Sequence, residues 1–304
     1  MAEMKESRTA LGVAWMRAVH QVLDSKPLIL EDEPIVELLG RYYVEGASKA
    51  PGRFQVPGVR MLRSHVVLRS RFTEDRLAQS LNRGVEQFVI LGAGYDTFFA
   101  RQPEWARKLR IFEIDQPATQ EDKLARISAA RMTMPDNVVF GSVNFEAESV
   151  SDGLRRHGVK FDVPTVFSWL GVTMYLTEPA IDATLSTVLS FAKGSEIVLT
   201  FATREAPRPE ILSRPAIEGS REEALNRQAA ESKGSSSKLA EIVAAIGEPW
   251  LTYYEPDEID RKLRRAGFAD VLLVTPDIAT QRYFAGRTDE LSPPRKTSLL
   301  SATV

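Results

Sequence analysis

The residues best spaced to do chemistry lie between Phe88 and Gln116, in the stretch FVILGAGYDTFFARQPEWARKLRIFEIDQ. An apolar run, Phe88 to Leu91, leads into Gly92, Ala93 and Gly94 and then into a helix-like segment; a second apolar run ends in the acids Glu113 and Asp115. This order presents a nucleoside-bearing cofactor at the carboxyl ends of parallel strands. The paired glycines let backbone approach the ligand, and an acid about 20 residues on can hold a ribose diol. Dinucleotide sites carry a third small residue, where a helix packs beneath a pyrophosphate; here that position is Thr97, preceded by Asp96. An acid at the mouth of the loop repels a pyrophosphate but accepts a hydrogen bond from an ammonium group. S-adenosylmethionine (SAM) has an α-amino group and no phosphate, so the electrostatics favour SAM over a nicotinamide cofactor. A nicotinamide oxidoreductase stays as an alternative, because it would use the same first strand and turn.

The remaining candidates follow from side-chain chemistry. Arg60, Arg63, Arg69, Arg71 and Arg76 share one helical pattern leading into the first strand. They read either as a solvated face or as the source of one planar, permanently charged fork for a cofactor carboxylate. The chain has no cysteine, which excludes disulfides, cysteine metal sites and thiol nucleophiles. Its histidines are His20, His65 and His157. A hydroxyl acceptor would need one of them as a base, whereas a carboxylate acceptor is already ionised and needs none.

The elements that must position these groups are legible as periodicities. Leu11, Ala14, Trp15, Ala18 and Val22 fall on one face of a helix over Arg8 to Leu23, and Pro34 opens a second helix to Leu39. Gly46 to Gly58 reads as a loop and Val59 to Leu81 as a helix. After the central stretch come a helix at Ala118–Ala130, a strand at Val138–Val143, a strand at Val163–Trp169, a helix at Ile181–Ala192 and an apolar strand at Ser195–Phe201. This alternation predicts an α/β fold with a doubly wound sheet. Residues 203–247, with their prolines and the Gly234–Ser237 tract, read as an inserted helical lid beside the ligand edge. Pro256 to Gly267 is a helix ended by glycine, and Val271–Val274 and Gln281–Gly286 read as antiparallel closing strands. The expected division is a helical cap over 1–84 and a cofactor-binding core over 85–304.

With 304 residues, 43% hydrophobic and 26% charged, the chain is long enough for one large α/β domain with an elaboration. A net charge of −2 shows no overall basic bias, so nucleic acid is not the expected main partner. The opening MAEMKESRTALGVAWM has neither a signal-peptide pattern nor a membrane-length apolar run, so a cytoplasmic location is the expectation.

LGAGYDT, FEIDQP, SWLGVTMYLT and the C-terminal EPW and YFAGRTDEL resemble the leucine carboxyl methyltransferase family. The resemblance is closest to its bacterial branch of SAM-dependent O-methyltransferases, including those linked to polyketide biosynthesis. SRTALGVAWMRAVHQ and RSRFTED fit that branch too, so the similarity covers most of the chain. It implies a class I SAM-dependent methyltransferase, a Rossmann-like, mostly parallel seven-stranded sheet with an N-terminal helical cap, and methyl transfer to an oxygen, typically of a carboxylate. By the same resemblance Gly92, Ala93 and Gly94 approach the methionine part of SAM and Asp115 holds the ribose hydroxyls. Arg71 (or Arg69) pairs with the SAM carboxylate, and Asn144 and Phe145 lie beside the adenine. Leu170 stands where the leucine carboxyl methyltransferases proper have glutamate, which argues against a protein-phosphatase substrate. Glu113 is expected to pair with an arginine in a structural role. Tyr175 and Arg204 are the expected acceptor-positioning groups. Trp15, Met16, Tyr253 and Tyr254 suggest a hydrophobic or aromatic small-molecule acceptor, or else pack the cap on the sheet. A SAM-binding protein without catalysis is the third alternative.

Overall fold

Strand β1 (Gln87–Leu91) is buried at every position and pairs on both sides in parallel, with β2 (Arg110–Asp115) and with β4 (Thr165–Trp169). Such two-sided burial accounts for its unbroken apolar sequence. In this computed structural model, which describes residues 7–144, 148–204, 240, 244 and 247–304, seven strands form one sheet of order β3-β2-β1-β4-β5-β7-β6. Strands β3 (Val138–Ser142) and β5 (Glu196–Thr200) extend the parallel part. Strand β7 (Leu299–Thr303) runs antiparallel between β5 and the edge strand β6 (Ala269–Leu273). The strand order reverses between β1 and β4. In open α/β sheets that switch point, at the carboxyl ends of the strands, is where ligands bind.

Four α-helices precede β1: α1 (Arg8–Leu23), α2 (Glu33–Leu39), α3 (Arg41–Lys49) and α4 (Pro57–Ser80). The Ser7 hydroxyl caps α1 by accepting from the Ala10 amide. Ala14 and Ala18 of α1 pack with Ile35, Val36 and Leu39 of α2 and with Tyr95 and Phe99 beyond the glycine turn, so these helices and the ligand edge share one apolar cluster. Trp15 borders that cluster. Val67, Leu68 and Phe72 of α4 pack against Val198 of β5. Helices α5 (Pro117–Ala129), α6 (Val150–Arg156) and α7 (Glu178–Leu189) link the parallel strands. Helix α8 (Pro256–Ala266) opens on a reciprocal Glu255–Glu258 capping box and ends at left-handed Gly267, φ 117°. A single short turn, α9 (Pro276–Ala279), follows β6.

Three expectations need correction. The closing strand is not Gln281–Gly286: Thr280–Phe284 forms a π-type helical turn, and β7 is built from Leu299–Thr303. The segment after the glycine turn contains two short 3-10 turns, Phe98–Ala100 and Glu104–Lys108, and no α-helix. The loop expected from Gly46 begins as the last turn of α3 and continues as a 3-10 turn at Pro51–Phe54. The expected lid falls mostly outside the described residues. Among the described residues no helix is long and apolar enough to cross a membrane.

Candidate active site at the glycine turn

Gly92 and Gly94 both adopt positive φ, 69° and 50°, which glycine tolerates without strain. A Cβ on Gly92 would stand 2.4 Å from Val172 Cγ2, so the loop after β4 closes directly on the turn. The amides of Gly92 and Ala93 donate to the Ile114 carbonyl at 2.8 and 3.1 Å, fixing the turn to β2. Asp115, the last residue of β2, accepts from the Gly94 amide with one carboxylate oxygen and from the Gln116 amide at 2.7 Å with the other. Burial raises its pKa against those two hydrogen bonds. A 3-10 turn, Phe98–Ala100, and no α-helix follows the glycine turn directly, so the helix N-terminus that cradles a pyrophosphate at that place in dinucleotide sites is missing.

Asp96 accepts from the Phe98 amide at 2.7 Å and lies 4.0 Å from Arg17 Nη1. Burial disfavours its charge, but Arg17, Arg101 and Lys123 outweigh that and hold its pKa below the ordinary value. The loop therefore carries a fixed negative charge. Beneath it Arg17 binds the Asp32 carboxylate, the Tyr95 carbonyl (3.2 Å) and Thr97 Oγ1 (2.6 Å). Arg101 joins Asp32 at 3.3 Å and Glu74 at 2.7 Å. The network ties α1, α4 and the segment before α2 to the turn that meets the ligand. Nothing in the motif reading pointed to Arg17, since it lies off the apolar face of its helix. Glu113 pairs in the interior with Lys123, not with an arginine.

The two arginines of RSRFTED have opposite placements. Arg71 is exposed, 2.9 Å from Asp75, whose other oxygen accepts the Tyr283 hydroxyl. It lines an outer cleft with Lys26 and Arg282 and does not reach the glycine turn. Arg69 is buried, and its guanidinium has neither a hydrogen bond nor an ion pair among the described residues. It lies against Gly171, where a Cβ would be 2.8 Å from Nη1. Burial and the like charge of Arg17 lower its pKa to about 10, with Tyr175 and Asp96 acting the other way. It remains a cation at neutral pH. Residues two apart on a helix point to different sides, so Arg69 faces Gly171 and the buried side while Arg71 faces the outer cleft.

Tyr175 belongs to a 3-10 turn, Thr173–Tyr175, just past β4. Its hydroxyl lies beside Thr9 and Trp250, with the charges of Glu248 and Arg69 nearby, and burial raises its pKa, so it is a neutral phenol. Residues 248–254 run over this turn. The Leu251 and Thr252 amides donate to the Met174 carbonyl at 2.7 and 3.3 Å, and the Tyr254 amide donates to Ala202 at 2.9 Å. Glu248 accepts from Ser7 Oγ (3.2 Å), the Arg8 amide (3.0 Å) and Thr9 Oγ1. These clasping residues were missed as site residues, although the sequence signal, EPW, was already in the resemblance.

Other expected site residues are more dispersed. Leu170 packs with the Val67–Leu68 cluster of α4. Asn144 follows β3, its amide donating to Glu148 at 3.3 Å, and Phe145 is outside the described residues. Arg204 is exposed and its carbonyl accepts from Lys296 Nζ at 2.7 Å; the structure does not bring its side chain into the cluster around Tyr175. His20 is buried with Nδ1 2.7 Å from Asp24 and Nε2 accepting from the Leu30 amide at 3.4 Å. His157 lies 3.1 Å from the Ser142 carbonyl. His65 lines a small cavity with Leu68, Val274 and Pro276, where burial, then Arg69, lower its pKa to about 3. None of the three is set up as a base beside Tyr175. The described residues contain no cluster of metal-ligating side chains.

Comparison with known proteins gives a consistent picture. The family described as leucine carboxyl methyltransferase matches residues 10–189. YktD of Bacillus subtilis, provisionally named an S-adenosyl-L-methionine-dependent methyltransferase, is 29% identical over 316 residues, covering 96% of each chain. A Mycobacteroides abscessus protein of the same provisional name is 30% identical over 66% of this chain and 64% of its own. Among solved structures, a DUF574 family protein of Streptomyces avermitilis superposes with a TM-score of 0.54 at 14% identity, covering 95% of this chain and 96% of that one. A provisionally assigned methyltransferase of Thermobifida fusca gives 0.52 at 17% identity, covering 98% and 95%. These two likenesses concern the fold.

Proposed function

The chain belongs to the leucine carboxyl methyltransferase family and is a SAM-dependent methyltransferase, and from that premise we propose that it methylates a carboxylate oxygen of a small molecule. The observation that carries the cofactor assignment is Arg69, a buried guanidinium with neither a hydrogen bond nor an ion pair among the described residues, one loop away from a glycine turn closed by Val172. A desolvated cation of this kind is costly unless an anion meets it, and the carboxylate of SAM is such an anion. The donor set fits the rest of the cofactor: Asp115 for the ribose hydroxyls, Asp96 for the ammonium, and the backbone of Gly92, Ala93 and Gly94 alongside. Asn144 and Phe145 would border the adenine. With Leu170 in place of an acid, Asp96 is the carboxylate left to face the ammonium.

When bound, SAM supplies a methyl group on a positively charged sulfur. The protein's contribution is then alignment and exclusion of water. Near-attack alignment is worth up to roughly 7–11 kcal/mol, and a dry site strengthens the attraction between a carboxylate and a sulfonium. Tyr175, a neutral donor, orients the acceptor; Arg204, exposed beyond β5, is left out of that role. A carboxylate acceptor is supported by the histidines: His20 is committed to Asp24, and His65 is too weak a base at a pKa of about 3. Incubation with methyl-labelled SAM and matched sets of carboxylic acids, phenols and alcohols tests this. Label in an alkali-labile methyl ester is the expected product. Label confined to alkali-stable ethers, with a rate limb near pH 6.5 lost in a histidine variant, would replace the carboxylate by a hydroxyl.

A further inference from the structure

A second donor without a well-formed hydrogen bond lies beside Tyr175. The indole Nε1 of Trp250 is buried and faces the Tyr175 hydroxyl without a hydrogen bond of good geometry to it or to any other described residue, whereas buried tryptophan N–H groups are ordinarily well bonded. Its ring is held edge-on to Tyr253, with centroids 6.1 Å apart and planes at 63°. Residues 251 and 252 are in turn stitched to the Met174 carbonyl, so the indole is carried by a fixed stretch of backbone. Tyr175, whose hydroxyl is its polar neighbour, is kept protonated by burial. The carboxylate whose charge acts on Tyr175 is that of Glu248, and it is already engaged by Ser7, Arg8 and Thr9 at the start of α1. Among the described residues this corner of the site therefore offers two donors and no uncommitted carboxylate.

We propose that the Trp250 indole N–H, together with the Tyr175 hydroxyl, holds one oxygen of the acceptor's carboxylate and so selects carboxylates over neutral acceptors of the same shape. The inference rests on the methyltransferase reading above. Binding one oxygen orients the other, whose lone pair forms the new bond to the methyl carbon. The carbon–sulfur bond breaks with its electron pair staying on sulfur, giving a neutral ester and a neutral thioether, and no proton moves. An amide or alcohol of equal size can still accept from these donors through its neutral oxygen, but it loses the charge assistance that roughly doubles the strength of a hydrogen bond to an anionic oxygen, so it is held less tightly. Trp250 is in this scheme a specificity residue and Tyr175 its partner.

The chain's four tryptophans, Trp15, Trp105, Trp169 and Trp250, each contribute one indole N–H resonance in nitrogen-15-labelled protein. Trp250→Phe assigns the Trp250 signal by its disappearance. The protein is first saturated with S-adenosylhomocysteine, whose binding is followed by calorimetry, and then titrated with benzoate, phenylacetate and hexanoate and with their amides and alcohols. The expected result is a downfield shift of the Trp250 proton with at least one carboxylate and not with its amide or alcohol, with at least tenfold weaker carboxylate binding in Trp250→Phe. Tyr175→Phe should weaken the same acid in the same sense. If S-adenosylhomocysteine binds and the Trp250 signal ignores every carboxylate, or follows amides equally, the proposal is overturned while the methyltransferase reading survives. If S-adenosylhomocysteine does not bind, that reading fails first and this inference with it.

Discussion

Arg69 and Arg71 share a helix and differ in everything electrostatics cares about. Arg69 is buried and makes no ion pair among the described residues, whereas Arg71 is exposed and tied to Asp75. Replacing Arg69 with methionine should weaken SAM about 10- to 100-fold by calorimetric titration, the loss of a charge-assisted pair at roughly 1.5–3 kcal/mol. The same change at Arg71 should stay within about twofold. Equal losses, or a loss confined to Arg71, would move the cofactor carboxylate elsewhere. The sequence left this choice open because a run of arginines on one helix shows charge, and which arginine turns inward depends on what the helix packs against. Asp115 was legible, because its place at the end of an apolar strand is local. That Glu113 meets Lys123 was not, since the lysine is supplied by α5, which packs beside the strand. Trp250 was missed for the same reason: its polar neighbour, Tyr175, is supplied by a turn far earlier in the chain.

Among the elements, those whose ends carry their own chemistry were the easiest to read. Helix α1, opened by Ser7, and α8, closed by Gly267, have ends set by capping groups adjacent in sequence. The segment Gln281–Gly286 misled because its aromatic pair favours strands, yet Phe284 is needed in the cluster beneath α4 and a helical turn delivers it there. Strand β7, LLSAT, is short and half polar, and only insertion between β5 and β6 makes it a strand. The clasp formed by Glu248 is likewise a property of elements distant in sequence. An acid at a helix start is favoured by the helix dipole and by the unpaired amides there. Glu248→Ala should cost about 1–2 kcal/mol and speed amide hydrogen exchange in the first turn of α1, with the α4 amides unchanged. Uniform acceleration through α1 and α4 would mean that Glu248 acts on the whole fold and not on this joint.

At the scale of the whole molecule, the sheet, the helices before it and the ligand edge are bound into one body by buried charges as well as by apolar packing. Stability should therefore depend on pH through groups far from any reaction. His65 is the clearest. Its pKa falls from 6.5 to about 3 in the fold, mainly through burial and then through the positive charge of Arg69. Between those values the unfolded chain binds a proton that the folded chain refuses, so stability rises with pH across that window. The contribution is complete above pH 6.5 and is lost as the pH falls. From pH 7 down to 5 the loss is roughly 2 kcal/mol. Glu113 works in the opposite sense, because burial, opposed by Lys123, lifts its pKa from 4.5 to about 7 and favours the fold at lower pH. The two are separated by comparing the native protein with His65→Gln, in which the Glu113 effect is common to both. Urea denaturation at pH 7 and pH 5 should show the native protein losing about 2 kcal/mol more than the variant over that interval. Equal losses would mean that His65 takes up its proton without unfolding, through an opening of its cavity between α4 and the turn after β6.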